Sequence, residues 1–212
     1  MSDSQLNLSE DTSDQNWVMT GVDIESRRID AIGDVCEAMQ AIIVRGLLKM
    51  SEISKDPIEI YLSTYGGDAY SALAIYDAIR ACECDVSVIA TGKIMSAGTI
   101  IMLAGDYRAA SVNTRFMIHS ISTSSEGKIR DMDVDLNEAK FLNNKMIQIY
   151  TERTRIKNPK VWQKKLTSSD IYFGIDKAIE YGFIKLPAKE VPNVESKRSP
   201  NKRKKPTTRA GK

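Results

Sequence analysis

A serine hydroxyl is nearly inert toward a carbonyl carbon at neutral pH until a neighbouring base takes its proton. In this chain of 212 residues one side chain has an ordinary pKa suited to that task, the single histidine, His119. Upstream of it, Ser96 lies in Gly92-Lys93-Ile94-Met95-Ser96-Ala97-Gly98, at the junction between a β-rich apolar run and an apolar helix. A serine at such a junction can serve as a plain N-cap. The same place also suits a nucleophile, because the free N–H groups and positive end of a helix stabilise an oxyanion formed beside it. Ala97 and Gly98 leave room for a carbonyl to approach, and a second glycine junction, Gly66-Gly67, follows the apolar run Ile58–Ser63. If the two junctions converge, the amides of Gly67 and Ala97 form a two-donor oxyanion hole. An imidazole base needs an acid to fix its tautomer, and Asp131, Asp133, Asp135, Asp170 and Asp176 all lie downstream of His119 as candidates.

Other chemistries find less to work with. Gly66-Gly67 matches neither the dinucleotide pattern G-x-G-x-x-G nor a P-loop. Cys36, Cys82 and Cys84 with one histidine complete no usual zinc set and no disulfide framework, so they read as free thiols in a reducing compartment, and no metal site is expected.

The elements that must position these residues alternate. Trp17–Val22 reads as a short strand, and a helix is expected from about Ser26, with Ile29, Ile32, Cys36, Met39, Ile43, Leu47 and Met50 on one face. Ile58–Ser63 is a strand, and Asp68 caps a helix over Ala69–Cys82. Asp85–Thr91 is the next strand, Ser96–Ala104 a helix and Arg115–His119 a strand ending on the imidazole. Ile129, Met132, Leu136, Ala139, Leu142, Met146 and Ile149 then mark an amphipathic helix of roughly 25 residues, long for a globular protein. Short helices follow around Val161–Leu166 and Asp176–Tyr181, with Phe183-Ile184 a last extended piece. Strands separated by helices imply right-handed βαβ crossovers and a mainly parallel sheet, an α/β fold.

The chain divides into three by composition. Residues 1–16 are acidic, without apolar periodicity, and read as a mobile segment; 17–188 form the domain; 189–212 read as a disordered basic tail. The tail holds nine Lys or Arg against Glu190 and Glu195, a charge of +7, so residues 1–188 carry 21 basic and 26 acidic side chains, or −5. Lys202–Lys205 has the charge for phosphate contacts, but a solvated, charge-balancing extension is the simpler role. No run approaches the roughly 20 apolar residues of a membrane span, and the acidic start resembles neither a secretory signal nor an Arg-rich transit peptide, so a cytoplasmic protein with no membrane contact is expected.

Several spaced motifs together resemble the proteolytic subunit of the Clp protease, over roughly residues 17–186. They are Ile60-Tyr61-Leu62 leading to Gly66-Gly67, Ala74-Ile75-Tyr76-Asp77, Gly92 through Ser96 to Gly98, Met117-Ile118-His119 and Ala178-Ile179-Glu180-Tyr181-Gly182. The order serine, histidine, aspartate is also that family's, and the G-x-S-x-G elbow of α/β-hydrolases is missing. The resemblance implies Ser96 as nucleophile, His119 as general base, Asp170 as the orienting acid, and the amides of Gly67 and Ala97 as oxyanion hole. It also implies the crotonase/Clp-protease superhelix of βαβ units, with the long helix as a protruding handle through which two heptameric rings stack. A partner AAA+ unfoldase ATPase would use the ATP, deliver unfolded polypeptides and leave the subunit itself without a cofactor. This chain departs from the family in carrying Tyr65 before Gly66-Gly67 in place of proline, Ser120–Gly127 in place of a Gln-Pro pair and glycine-rich stretch, bulky Lys93 and Ile94, and Ala81 where an aromatic is common in the ATPase-docking cleft.

The expected activity is therefore serine endopeptidase cleavage of unfolded polypeptides inside a ring-shaped chamber. Two alternatives are a catalytically silent ring subunit, against which the complete Ser96, His119, Asp170 set argues, and a crotonase-type acyl-CoA enzyme, which uses oxyanion amides without a serine nucleophile. A membrane-tethered signal-peptide peptidase needs a span and a lysine base; Lys93 lies too near Ser96 in sequence to favour it.

Overall fold

The computed structural model describes residues 20–187; the readings of 1–16 and 189–212 fall outside these residues. The strands are β1 (Val22–Asp23), β2 (Arg28–Ile32), β3 (Ile58–Thr64), β4 (Val86–Met95), β5 (Tyr107–Ala110), β6 (Arg115–Ile118), β7 (Ile171–Phe173) and β8 (Leu186–Pro187). The helices are α1 (Glu37–Ile53), α2 (Ala69–Ala81), α3 (Gly98–Ala104), α4 (Ile129–Arg153), α5 (Pro159–Ser168) and α6 (Ile175–Tyr181).

One sheet contains all of these strands, in the order β1-β2-β3-β4-β5-β8, with β6 added to β4 and β7 to β6. Every pairing is parallel except β1 with β2 and β6 with β7, as the alternating βα pattern requires. Strand β4 forks the sheet. Its first half, Ser87–Ala90, pairs with β5, and its last residues, Lys93–Met95, pair with β6. Gly92 does not end the strand, as the sequence suggests, but bends it at a φ of +65° so that the second half can reach β6.

The helix expected from Ser26 is corrected: Arg28–Ile32 is strand β2, and helix begins only at Glu37. Ile29 and Ala31 are buried on one face while Ile32 is 72% exposed, the alternation of a strand. Arg27 turns the chain at a φ of +57°, and its guanidinium donates to the carbonyls of Met50, Ser54 and Asp56, closing the end of α1 against the start of β2. The remaining face of α1, with Met39, Ile43, Leu47 and Met50, is buried as its spacing predicts. Asp68 caps α2, accepting from the Ser71 N–H at 2.7 Å. The strands β5 and β7 were not foreseen, and the last pairing falls on Leu186-Pro187 rather than on Phe183-Ile184, which are fully buried.

The core lies between the sheet and α1, α2, α3 and the second half of α4. Beneath α4 and α5, Phe116, Tyr150, Trp162, Phe173 and Phe183 pack edge-on and stacked with ring centroids 5.1 to 6.3 Å apart. Helix α4 itself is divided. Leu142, Met146, Ile147, Ile149 and Tyr150 are buried, whereas Ile129, Met132, Val134 and Leu136 stand exposed on the half that extends away from the core.

Candidate active site

The site sits where β4, β6 and the loop after β3 end together. Met95 pairs with Met117, and one residue later the Ser96 N–H donates to the Met117 carbonyl at 2.9 Å, tying the two strand ends together. Ser96 then turns at a φ of +49°, the left-handed region that costs a non-glycine residue of order 1–3 kcal/mol and persists only where surrounding contacts enforce it. The strain lifts the side chain off the strand at the mouth of α3, whose first residue is Gly98. Ser96 is therefore not the cap of that helix: its hydroxyl goes instead to His119, with Oγ 2.6 Å from Nε2.

The register of β6 against β7 explains which acid stands near the imidazole. Phe116 faces Phe173, Met117 faces Tyr172 and Ile118 faces Ile171, so the next antiparallel pair brings His119 opposite Asp170. Asp170 Oδ1 lies 3.8 Å from His119 Nδ1, close enough for an ionic contact and slightly beyond a hydrogen bond. None of the four other candidates makes such a contact with the imidazole. Asp131, Asp133 and Asp135 lie on the exposed half of α4, where Asp135 accepts from the Ser125 hydroxyl, and Asp176 is in the first turn of α6.

Gly67 and Ala97 line one cleft with Ser96 and His119. Val35 bonds the loop on both sides of Gly67, donating to the Gly66 carbonyl and accepting from the Asp68 N–H, which turns the Gly67 N–H away from Val35. Glycine is required twice here. A Cβ on Gly67, at a φ of +145°, would meet the Val35 carbonyl oxygen at 2.3 Å; one on Gly66, at +103°, would meet Ser96 Cβ at 2.7 Å. The loop and the serine turn thus touch backbone to backbone, the convergence that the two junctions needed.

The cleft encloses about 560 Å³. Its apolar floor comes from Leu73, Ile100, Leu142 and Met146, its rim carries Asp68, Asp135 and Glu138, and Ser120–Ser124 form a wall directly after the histidine. Burial, the largest single influence, works to raise the Asp68 carboxyl, but the Ser71 N–H, the Ser71 hydroxyl and the Tyr70 N–H together outweigh it and hold the group below the usual carboxylate range. Lys93 is not the serine's base; its ammonium stands over the Tyr65 ring, 4.2 Å from the centroid. No cluster of three or more metal-ligating side chains occurs among the described residues.

Two neighbours of Ser96 gave no signal in the sequence. Thr99 donates its hydroxyl to the Ser96 carbonyl at 2.6 Å and also lies 2.6 Å from the Tyr150 hydroxyl of α4. In sequence both look like ordinary members of apolar helix faces.

Comparison with known proteins identifies the family. A family model described as Clp protease matches residues 13–187. The chain belongs to the Clp protease family. It is 33% identical over 170 residues to an ATP-dependent Clp protease proteolytic subunit of Deinococcus radiodurans, covering 76% of this chain and 82% of that protein. It is 30% identical over 177 residues to ATP-dependent Clp protease proteolytic subunit 2 of Treponema denticola, covering 82% and 88%. Among solved structures, a ClpP1 variant from Listeria monocytogenes superposes with a TM-score of 0.72 at 24% identity, covering 81% of this chain and 95% of that one, which shows the shared fold. The family and the α/β superhelix read from the motifs are both borne out.

Proposed function

We propose that this chain is the proteolytic subunit of a Clp-type protease and cleaves unfolded polypeptides as a serine endopeptidase. The observation that carries the reading is the 2.6 Å contact between Ser96 Oγ and His119 Nε2 at the mouth of α3. His119 takes the hydroxyl proton as Oγ attacks the scissile carbonyl, and the oxyanion is received by the N–H groups of Gly67 and Ala97. The imidazolium returns the proton to the leaving amine, leaving an acyl-serine. Water, deprotonated by the same imidazole, then releases the carboxylic acid and restores Ser96. Asp170 faces the imidazole's other nitrogen and keeps it in the productive tautomer. This chemistry uses no resident metal or cofactor; ATP belongs to a partner AAA+ unfoldase.

Assembly into stacked rings is part of the same reading. It is supported by the exposed apolar stripe of Ile129, Met132 and Leu136, which nothing in its own chain covers among the described residues. A cytoplasmic setting fits as well, since no described helix is long and apolar enough to cross a membrane.

The test joins a fluorogenic-peptide assay to native mass spectrometry of wild type and Ser96→Ala. The expected result is a ring-sized assembly in both, with cleavage and fluorophosphonate labelling lost in the variant. Cleavage that survives in Ser96→Ala, or the absence of any adduct on Ser96 in an active wild type, overturns the assignment.

A further inference from the structure

The strained turn at Ser96 needs something to hold it, and the structure shows a buried chain of two hydroxyls attached to its carbonyl. Thr99 and Tyr150 are both fully buried. The Ser96 carbonyl can only accept, so the Thr99 hydroxyl gives it its one proton, at 2.6 Å; the Thr99 N–H donates to the same oxygen at 2.9 Å. With that proton committed, the Tyr150 hydroxyl, 2.6 Å from Thr99 Oγ1, must be the donor in the second bond. The hydrogen-bond polarity is therefore fixed along the chain, from Tyr150 on α4 through Thr99 on α3 to the nucleophile's own peptide group. Burial pushes the Tyr150 phenol well above its ordinary range, so at neutral pH it is protonated and able to donate.

We infer that Thr99 and Tyr150 are positioning residues that pin the Ser96 carbonyl, hold the left-handed turn and so keep Oγ aimed at His119. This rests on the peptidase reading above. The pair also connects the long helix to the nucleophile through the only polar contact that the interior of α4 makes with the Ser96 turn among the described residues.

The two roles such a pair can have, packing and aiming, separate in a double substitution. Thr99→Val removes the hydroxyl and leaves the buried Tyr150 O–H without an acceptor, so both melting temperature and kcat fall. Adding Tyr150→Phe removes the orphaned group, and stability recovers, because two apolar groups of matching shape replace a matched polar pair. The expected result is that kcat of the double variant stays roughly three- to tenfold low, the scale of one lost hydrogen bond, with KM changed less than twofold. Thr99→Ser keeps the hydroxyl and is expected to retain most of wild-type kcat. Recovery of kcat together with stability in the double variant, or full kcat in Thr99→Val, overturns the positioning role while leaving the peptidase reading intact. A wild type that cleaves no peptide overturns both.

Discussion

At the scale of single residues, the proposed reactivity depends on a conformation that Ser96 would not choose. Its positive φ is held by bonds on both sides, from its N–H to Met117 and from Thr99 to its carbonyl, while Gly66 packs against its Cβ where no larger residue fits. The serine and histidine were legible in the sequence because each is singular: one imidazole in the chain, and one serine set among small residues at a strand-to-helix junction. The acid was named only through the family resemblance, because five aspartates follow His119 and residue types alone do not choose among them; the β6–β7 register puts Asp170 opposite the imidazole. Thr99 and Tyr150 were invisible for a different reason, since a buried threonine or tyrosine on an apolar face carries no mark of its partner. Asp170 gives a prediction at this scale. Its side chain is 56% exposed, so Asp170→Asn is expected to leave the melting temperature within experimental error. An amide presents a donor where the imidazole needs an acceptor, and kcat is expected to fall about 100-fold or more, measured with the fluorogenic peptide.

At the scale of elements, spacing sufficed where a helix or strand buries one continuous face, as in α2, β3 and the second half of α4. It failed at β2. Ile29, Ile32 and Cys36 fit a helical spacing that runs smoothly into the true helix, and the break depends on Arg27 turning the chain and bonding to carbonyls near residue 50, a contact that no local pattern encodes. The short strands β5 and β7 escaped for a related reason, since four and three residues are too few to display a period. The Asp68 cap was foreseen, and its energetics follow. The folded-state pKa of Asp68 lies below its unfolded value, so its stabilisation is complete above the ordinary carboxylate range near pH 4 and is lost as pH falls through the folded value. Asp68→Ala is accordingly expected to cost about 1 kcal/mol at pH 7, a fall of roughly 2–4 °C in melting temperature, and calorimetry should find the difference from wild type shrinking below about pH 4.

At the scale of the whole molecule, the divided character of α4 matters most. Its buried half belongs to the core that supports the serine turn, while its outer half presents Met132 at 43% and Leu136 at 48% exposure. If the proposed ring stacking uses this stripe, a double substitution, Met132→Lys with Leu136→Lys, is expected to leave the subunit folded by circular dichroism and to halve the assembled mass in native mass spectrometry. An unchanged mass would assign that stripe to something other than ring contact.

The forked sheet carries one more consequence. Ser96 follows ten-residue β4 in the middle of the sheet, but Asp170, its proposed partner acid, precedes three-residue β7, which pairs only with β6 among the described strands. Phe173 anchors one end of that strand in the core, but its other end, at half-exposed Asp170, can fray at far lower cost. Warming or mild urea should therefore first detach Asp170 while the main body stays intact. Peptidase activity should decay at a lower denaturant midpoint than tryptophan fluorescence from buried Trp162, and coincident midpoints would show that the edge and the core come apart as one cooperative unit.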